Sequence, residues 1–239
     1  MSIIDDILTR YTAGERDFQR FDLKEAEFVN LSLQGADFSR ADLRQARLGK
    51  TDFSKAVLRS VNLSEAILWG TDLSEANLFQ AILREADLSG AKLVRAQLIE
   101  ANLCKASLSG ANLSHANLSR SVLYEADLRP SSDLRTDLSH AILVDADLSY
   151  ADLGAASFYR ATLDGAKLCR ANLSSRIQWG FLATDLREAS LQGADLSYAD
   201  LSGVDLKNAN LEGADLTGAI LTDANFQGAT MPNGRVFEV

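Results

Sequence analysis

The sequence predicts an all-β solenoid, a chain wound into stacked coils around an apolar axis. A large apolar residue occupies every fifth position, as in residues 86–100, which read ADLSG-AKLVR-AQLIE. The pattern forms 41 units, of which 34 have leucine at the centre and 31 have alanine two residues earlier. Because the alanine and the centre are two residues apart, they share one side of a short extended segment.

The ordinary helix and strand periodicities do not fit this repeat. On an α-helix, five residues turn about 500°, which scatters the leucines around the axis. On a straight strand, five residues reverse the direction of the side chain. Each unit therefore combines a short extended piece with a corner, and its repetition winds coils that stack about 4.8 Å apart. The period alone leaves the number of sides of each coil open.

The pattern A(D/N)Lxx, which extends over residues 16–231, resembles the pentapeptide-repeat family. The resemblance implies a right-handed, four-sided (quadrilateral) parallel β-helix with about twenty residues per coil and about ten coils. It also implies that the residue before each centre and the two residues after it point outward.

The two ends of the chain depart from the repeat. Residues 1–15 are predicted to form an N-terminal helical cap that ends near Gly14. Residues 232–239 form a short tail, which either caps the other end or docks with another molecule. The apolar face of the predicted helix consists of Ile3, Ile4, Ile7, Leu8 and Tyr11.

Two stretches, near 129–137 and 174–185, break the repeat and are predicted to leave the coil as loops. In the first, Asp133 falls on a centre position, where a buried carboxylate is costly, and Pro130 cannot donate to the ladder. In the second, Leu173 and Leu186 are separated by 13 residues, which shifts the frame. Loops on rigid scaffolds often carry function. The candidate contacts in these loops are Arg129, Arg135, Trp179 and Phe181.

Composition and charge restrict the class of protein. The net charge of −9 disfavours direct nucleic-acid binding. The N-terminal residues lack the features of a signal peptide, and no apolar run is long enough to span a bilayer. We therefore expect a cytoplasmic protein without a membrane partner, as a monomer rather than a dimer. Cys104 and Cys169 are expected to be free thiols.

The sequence carries no recognisable catalytic, cofactor or metal motif. A glycine-rich phosphate loop and zinc-like Cys/His spacing are both missing. His115 and His140 are the two histidines, and the phase of the repeat assigns them to neighbouring faces. The many aspartates are better explained by corner hydrogen bonds than by calcium binding. We therefore predict a protein that is not an enzyme and that needs neither a cofactor nor a metal.

A coil of twenty residues places outward residues twenty apart above one another, which predicts an apolar patch with an acidic rim. An apolar area bordered by charges is typical of a protein-binding surface. The alternative interpretation is that β-branched and aromatic residues merely suit outward strand positions. The patch consists of Phe79, Ile82, Ile99, Val122, Tyr124, Ile142 and Val144, and the rim of Glu65, Glu85, Glu125 and Asp145.

Four non-repetitive stretches, 66–70, 127–132, 177–180 and 231–234, resemble cyanobacterial members of the family that regulate heterocyst differentiation. This resemblance implies a protein-binding scaffold that counters peptide-mediated inhibition of development, with regulatory proteins of that pathway as its partners. The alternative function is DNA mimicry, in which acidic, rod-shaped members of the family bind DNA gyrase and inhibit or protect it. The 24 interspersed lysine and arginine residues argue against a DNA mimic.

Overall fold

The structure, a computed structural model, describes residues 3–174 and 183–238. The chain winds into a solenoid whose coils are joined by single-residue parallel bridges. The first bridges start at Asp17, Asp22, Glu27 and Ser32, and each pairs with the residue twenty positions later. These four columns of bridges define four sides, which we call faces 1 to 4 in that order. No helix in the described part of the chain is long and apolar enough to cross a membrane.

Each five-residue unit consists of a bridge residue, a buried centre and a tight corner. In the unit centred on Leu23, the amide of Ala26 donates to the carbonyl oxygen of Leu23 at 3.1 Å, and Glu25 has a φ of +57°. A hydrogen bond from residue i+3 to residue i, with a positive φ at i+2, is typical of a type II turn. This turn redirects the chain after every centre, so that five residues make one side.

The aspartate or asparagine before each centre stabilises the corner that follows it. Asp37 Oδ1 accepts a hydrogen bond from the amide of Ser39 at 2.8 Å, and Asn112 Oδ1 accepts one from the amide of Ser114 at 2.9 Å. Such Asx turns satisfy an amide that the corner turns away from the ladder. The predicted corner role of these side chains is therefore correct.

The centres stack into one continuous apolar core. The leucines between Leu23 and Leu211 at these positions are buried, and each is worth about 1.5–3 kcal/mol of gross stabilisation. Near the N-terminal end the column becomes aromatic, and the rings of Phe18 and Phe38 stack with their centroids 5.3 Å apart.

Helix α1 spans Ile3–Thr12 and packs on the first coil. Ile7 is fully buried, and Leu8 and Tyr11 pack against the core. Ile3, the first residue of the helix, was predicted on the same apolar face but is 47% exposed. Gly14 follows the helix with a φ of +99°, a backbone angle that favours glycine.

Residues 228–237 form a small antiparallel pairing at the other end of the described chain. Thr230 and Val236 make an antiparallel bridge, and the amide of Phe237 donates to the carbonyl oxygen of Ala229 at 2.8 Å. The ring of Phe237 lies 6.0 Å from that of Phe226, between centroids. The tail therefore folds back on the last units.

Both interruptions begin after face 3, and the chain resumes on face 4, as it does in an uninterrupted coil. Across the first, Asn112 pairs with Asp137, which is 25 residues later instead of 20. Across the second, Ser157 pairs with Asp185, which is 28 residues later. Each insertion therefore lengthens one coil and leaves the inward direction of the following centres unchanged.

A buried threonine closes each insertion at a position where most other units have alanine. Thr136 Oγ1 accepts a hydrogen bond from the amide of Gly110 at 2.9 Å. Thr184 Oγ1 accepts one from the amide of Ala155 at 2.8 Å and donates to the carbonyl oxygen of Leu173 at 2.6 Å. The Thr184 hydroxyl thereby gives the Ala155 amide a hydrogen-bond partner, whereas the Gly110 amide also keeps its ladder bond to the carbonyl oxygen of Arg129 at 3.2 Å.

Two predictions that assumed a constant spacing of twenty residues are wrong, because the first insertion lengthens one coil. His115 and His140 do not lie on neighbouring faces but stack directly, with ring centroids 4.8 Å apart. The twenty-residue spacing also predicts Asp127 above Asp147, whereas Asp127 pairs with Asp152. In both cases the five additional residues of the first insertion shift every later position by one side.

The shifted register stacks two carboxylates on face 3. Burial raises the pKa of Asp152. Burial also acts on Asp127, but the Arg129 guanidinium, which donates to its two carboxylate oxygens at 2.9 and 2.7 Å, lowers the pKa of Asp127. Arg129 Nε also lies 3.4 Å from Asp152 Oδ2. The Arg129 guanidinium therefore contacts both carboxylates, and it stabilises the ionised form of Asp127 more than that of Asp152.

Thr184→Val is expected to destabilise the fold, because it leaves the buried amide of Ala155 and carbonyl oxygen of Leu173 without this partner. The expected loss is about 1–3 kcal/mol in the free energy of unfolding, measured by urea titration. Thr162→Val, at an outward position of face 1, is the matched control and should change it by less than about 0.5 kcal/mol. Equal losses in the two variants would contradict the closing role of Thr184.

Asp152→Asn is expected to stabilise the protein by about 0.5 kcal/mol at pH 7. A carboxyl whose pKa is raised by folding costs stability while it is ionised, and this cost disappears as the pH falls through the raised pKa towards about 3.9. Asp152 Oδ1 accepts a hydrogen bond from the amide of Gly154 at 3.3 Å, and the side-chain oxygen of asparagine can accept the same hydrogen bond. Urea midpoints at pH 7 and pH 3.5 test this, and an equal gain at both pH values would refute the electrostatic explanation.

Candidate protein-binding surface

The predicted apolar patch lies on two adjacent faces, but two of its members, Ile142 and Val144, lie on the other face from the one expected. Ile142 pairs with Asn117 of face 1 and not with Val122 of face 2, because the first insertion adds five residues before it. Val144 moves with it and joins the side that carries Phe79 and Ile99. We call this set the split band. It consists of Phe79, Ile99, Ile142 and Val144 on face 1, and of Ile82, Val122 and Tyr124 on face 2.

Both halves of the split band reach solvent. Ile82 and Val122 are each 38% exposed, and Ile142 is 41% exposed, whereas the other members are half-buried. On face 1, the Arg59 guanidinium lies over the ring of Phe79, 4.8 Å from its centroid. Apolar side chains held on a rigid ladder lose little conformational freedom on binding, which favours association with a partner.

A polar corner separates the two halves. Glu100 on this corner accepts a hydrogen bond from Gln80 Nε2 at 2.8 Å and pairs with Arg120 at 2.7 Å. Asp145, which was predicted in the acidic rim, lies on this corner instead, one coil beyond Arg120. The reason is again the five-residue shift of the first insertion.

The rest of the acidic rim follows the corner after face 2, and its carboxylates have polar neighbours. The pairs are Gln45 with Glu65 at 2.9 Å, Arg84 with Glu85 at 2.8 Å, and Lys105 with Glu125 at 3.4 Å. Hydrogen bonding with the Glu125 carboxylate raises the pKa of Tyr124. Exposed pairs of this kind contribute little to stability, so a partner can exchange them at little cost.

An exposed ladder of aromatic and cationic side chains continues beyond Tyr124. The rings of Tyr124 and Tyr150 are 5.5 Å apart, and the Arg170 guanidinium lies 6.0 Å from the ring of Tyr150 and 5.3 Å from that of Tyr198. Sequence reasoning missed this ladder because it crosses both lengthened coils, where a spacing of twenty does not apply. Tyrosine and arginine are enriched among the residues that dominate binding energy at interfaces.

Of the four predicted loop contacts, two are engaged within the rod. Arg129 binds Asp127, as described above. Arg135 Nε donates to the carbonyl oxygen of Ala155 at 2.7 Å, and its Nη2 donates to those of Ala156 and Ala183 at 2.9 and 2.7 Å. Burial lowers the pKa of Arg135. Trp179 and Phe181 lie outside the described residues.

The loop 130–135 overhangs face 4 and borders an open groove of about 570 Å³. Lys92, Asn112 and Asp137 line its floor, and Leu134 forms part of its wall. The loop sits directly on Gly110, where a Cβ atom would lie 2.6 Å from Ser131 Oγ. Sequence reasoning missed the groove, and Gly110 was no distinctive signal, because glycine also occupies corners with nothing above them, such as Gly35.

The described residues contain no cluster of three histidine, cysteine, aspartate or glutamate side chains that could hold a metal ion. Cys104 and Cys169 are free thiols. The outward side chains of the described faces are apolar, aromatic and paired charged groups.

Comparison with known proteins identifies the repeat. The family model described as pentapeptide repeats matches in eight copies, over residues 22–59, 56–95, 96–129, 136–174, 181–208 and 199–233. No curated protein sequence matches the chain.

Among solved structures, the chain is similar to HetL from the cyanobacterium Nostoc sp. strain PCC 7120, described as a pentapeptide repeat protein involved in heterocyst differentiation regulation. The two share 64% identity over 99% of this chain and 100% of HetL, with a TM-score of 0.97. Rfr23 from Cyanothece 51142 is 29% identical over 62% of this chain and 91% of its own, with a TM-score of 0.38. QnrB1, a fluoroquinolone resistance protein, is 18% identical over 87% of this chain and 90% of its own, with a TM-score of 0.34.

The matches to the repeat cover most of the chain, and the similarity to HetL extends over nearly all of it. Both comparisons agree with the geometry of the coils, and they indicate that the solenoid is right-handed. The chain belongs to the pentapeptide repeat family.

Proposed function

We propose that this chain is a non-catalytic protein-interaction scaffold that regulates heterocyst differentiation. It acts as a monomer in the cytoplasm, binds a regulatory protein of that pathway and thereby counters peptide-mediated inhibition of development. The observation that carries the proposal is the 64% identity to HetL over 99% of the chain. The exposed side chains of the split band support a role in protein binding. They are apolar, they lie at fixed positions of the ladder, and no other part of the described chain covers them.

Expression of this chain in a heterocyst-forming cyanobacterium tests the proposal. Filaments that receive an inhibitory peptide are expected to keep forming heterocysts when the chain accumulates, and to lose them with an empty vector. Loss of heterocysts despite accumulation of the folded chain would refute the proposed regulation.

A DNA-supercoiling assay with purified gyrase tests the DNA-mimic alternative. We expect no inhibition of gyrase, because lysine and arginine interrupt the carboxylates along the rod, as in the pairs of Lys105 with Glu125 and Arg120 with Glu100. Inhibition of supercoiling at protein concentrations comparable to that of gyrase would favour the mimic instead.

Charge substitutions in the split band are expected to abolish regulation while the fold persists. Tyr124→Arg with Val144→Glu changes both faces, and Val122→Glu changes face 2 alone. Each places a charge where a partner would bury an apolar side chain, which costs several kcal/mol if the charge stays unpaired. The measurement is heterocyst frequency in the presence of the inhibitory peptide.

Ile67→Glu on face 3 is the matched control for Val122→Glu, because both residues occupy bridge positions and are 38% exposed. It is expected to leave heterocyst frequency unchanged, and circular dichroism should show the same spectrum and melting temperature for all variants. If the band variants regulate as well as this control, the split band is not the binding surface.

A further inference from the structure

We propose that the groove beneath the loop 130–135 binds a short extended peptide segment of a partner protein. In this segment an acidic and a basic residue lie three positions apart, with an apolar residue between them. The inference extends the proposed scaffold function to a second site, which lies on face 4 and shares no residue with the split band.

The wall of the groove is held in position before any ligand arrives. The amide of Ser131 donates to the carbonyl oxygen of Leu134 at 2.9 Å, and Ser131 Oγ accepts from the amide of Leu134 at 3.0 Å. Arg135, the next residue, is bound to three main-chain carbonyl oxygens. Leu134 is nevertheless 55% exposed. An apolar side chain that is fixed in an exposed position offers burial without a large ordering cost.

Two opposite charges mark the floor of the groove. Lys92 and Asp137 occupy the same column of face 4 with Asn112 between them, so they are two coils, about 9.6 Å, apart. A peptide in the extended polyproline II conformation rises about 3.1 Å per residue with three residues per turn, so side chains three positions apart lie on the same side, about 9.3 Å apart. A peptide along the groove can therefore place a carboxylate at Lys92 and an ammonium or guanidinium group at Asp137 at the same time.

Both charges have capacity for a ligand. Lys92 Nζ has one loose contact, 3.8 Å from Asp72 Oδ2, and its side chain is 65% exposed. Asp137 Oδ1 accepts a hydrogen bond from the amide of Ser139 at 2.9 Å, and Oδ2 makes no hydrogen bond with any described residue. An ion pair with a peptide is compatible with both arrangements.

The floor also offers hydrogen bonds for a peptide backbone. Asn112 Oδ1 accepts from the amide of Ser114, while its Nδ2 donates to no acceptor within residues 3–174 and 183–238. The volume of about 570 Å³ lies within the range of ligand-binding clefts, about 300–1,000 Å³. Val94 and Leu134 supply the apolar part of the lining. The lining therefore matches a segment with an apolar centre, a polar backbone and flanking charges.

The direct test is an NMR titration of the ¹⁵N-labelled full chain with the acetylated and amidated peptide Ser-Glu-Leu-Ser-Lys-Ser. Amide shifts are expected at Lys92, Asn112, Leu134 and Asp137, with a dissociation constant of about 1 mM or below that weakens with added salt. The peptides Ser-Glu-Leu-Ser-Glu-Ser and Ser-Glu-Ser-Ser-Lys-Ser are expected to bind at least about threefold more weakly.

Variants at the floor provide the matched comparison. Lys92→Asn and Asp137→Asn each remove a charge but keep a residue type that the bridge position accepts elsewhere, and each is expected to weaken binding about threefold, or about tenfold together. Leu134→Ser is expected to weaken it about tenfold. Lys167→Asn and Asp147→Asn make the same changes on face 2 and should leave the affinity unchanged.

Absence of shifts at the groove amides would overturn the proposal, and so would equal binding to the Lys92→Asn/Asp137→Asn double variant. Neither result bears on the heterocyst test, because the peptide titration measures binding at the groove alone, and the heterocyst test measures regulation by the whole chain. Failure of the heterocyst test with intact peptide binding would in turn refute the regulatory role and leave the groove as a peptide site.

Discussion

The whole structure depends on a corner that turns the chain within two residues after every buried centre. At this corner the second residue has a positive φ, as in Arg20 and Glu25, and a non-glycine residue there costs about 1 kcal/mol or more. The corner persists because the amide of the same residue donates to the next coil, for example from Glu25 to Arg44 at 2.9 Å. Ladder and corner therefore stabilise each other, and together they set the period, the flat faces and the outward columns.

Departures from the repeat are possible only where the chain returns in phase. Thr136 and Thr184 show the chemistry of that return, because each hydroxyl accepts a hydrogen bond from a main-chain amide of the preceding coil. The first insertion has three further consequences: it stacks Asp127 on Asp152, moves Ile142 and Val144 from face 2 to face 1, and creates the groove under Leu134. Features beyond the uniform rod thus arise where the repeat is interrupted, as expected when function is added to a regular scaffold.

Several arginines that look available in the sequence are used to stabilise the rod. Arg44, which binds both oxygens of Asp42, lowers the pKa of that carboxyl to about 2, and Arg187 binds Asp185 in the same way. Arg129 and Arg135 belong to the same class of internal contacts. Exposed side chains without such contacts include those of Ile82, Val122 and Leu134.

The sequence by itself determined the solenoid, the inward leucines, the corner role of aspartate and the sites of both loops, because a five-residue period allows apolar side chains a common side only on a coil. It also placed Ile82 and Val122 together, since no insertion separates them. Only the tertiary structure decided the register beyond residue 129, because a loop does not reveal how many of its residues leave the coil. For the same reason Ile142, Val144 and Asp145 were misplaced, and the groove and the internal contacts of Arg129 and Arg135 became visible only in three dimensions.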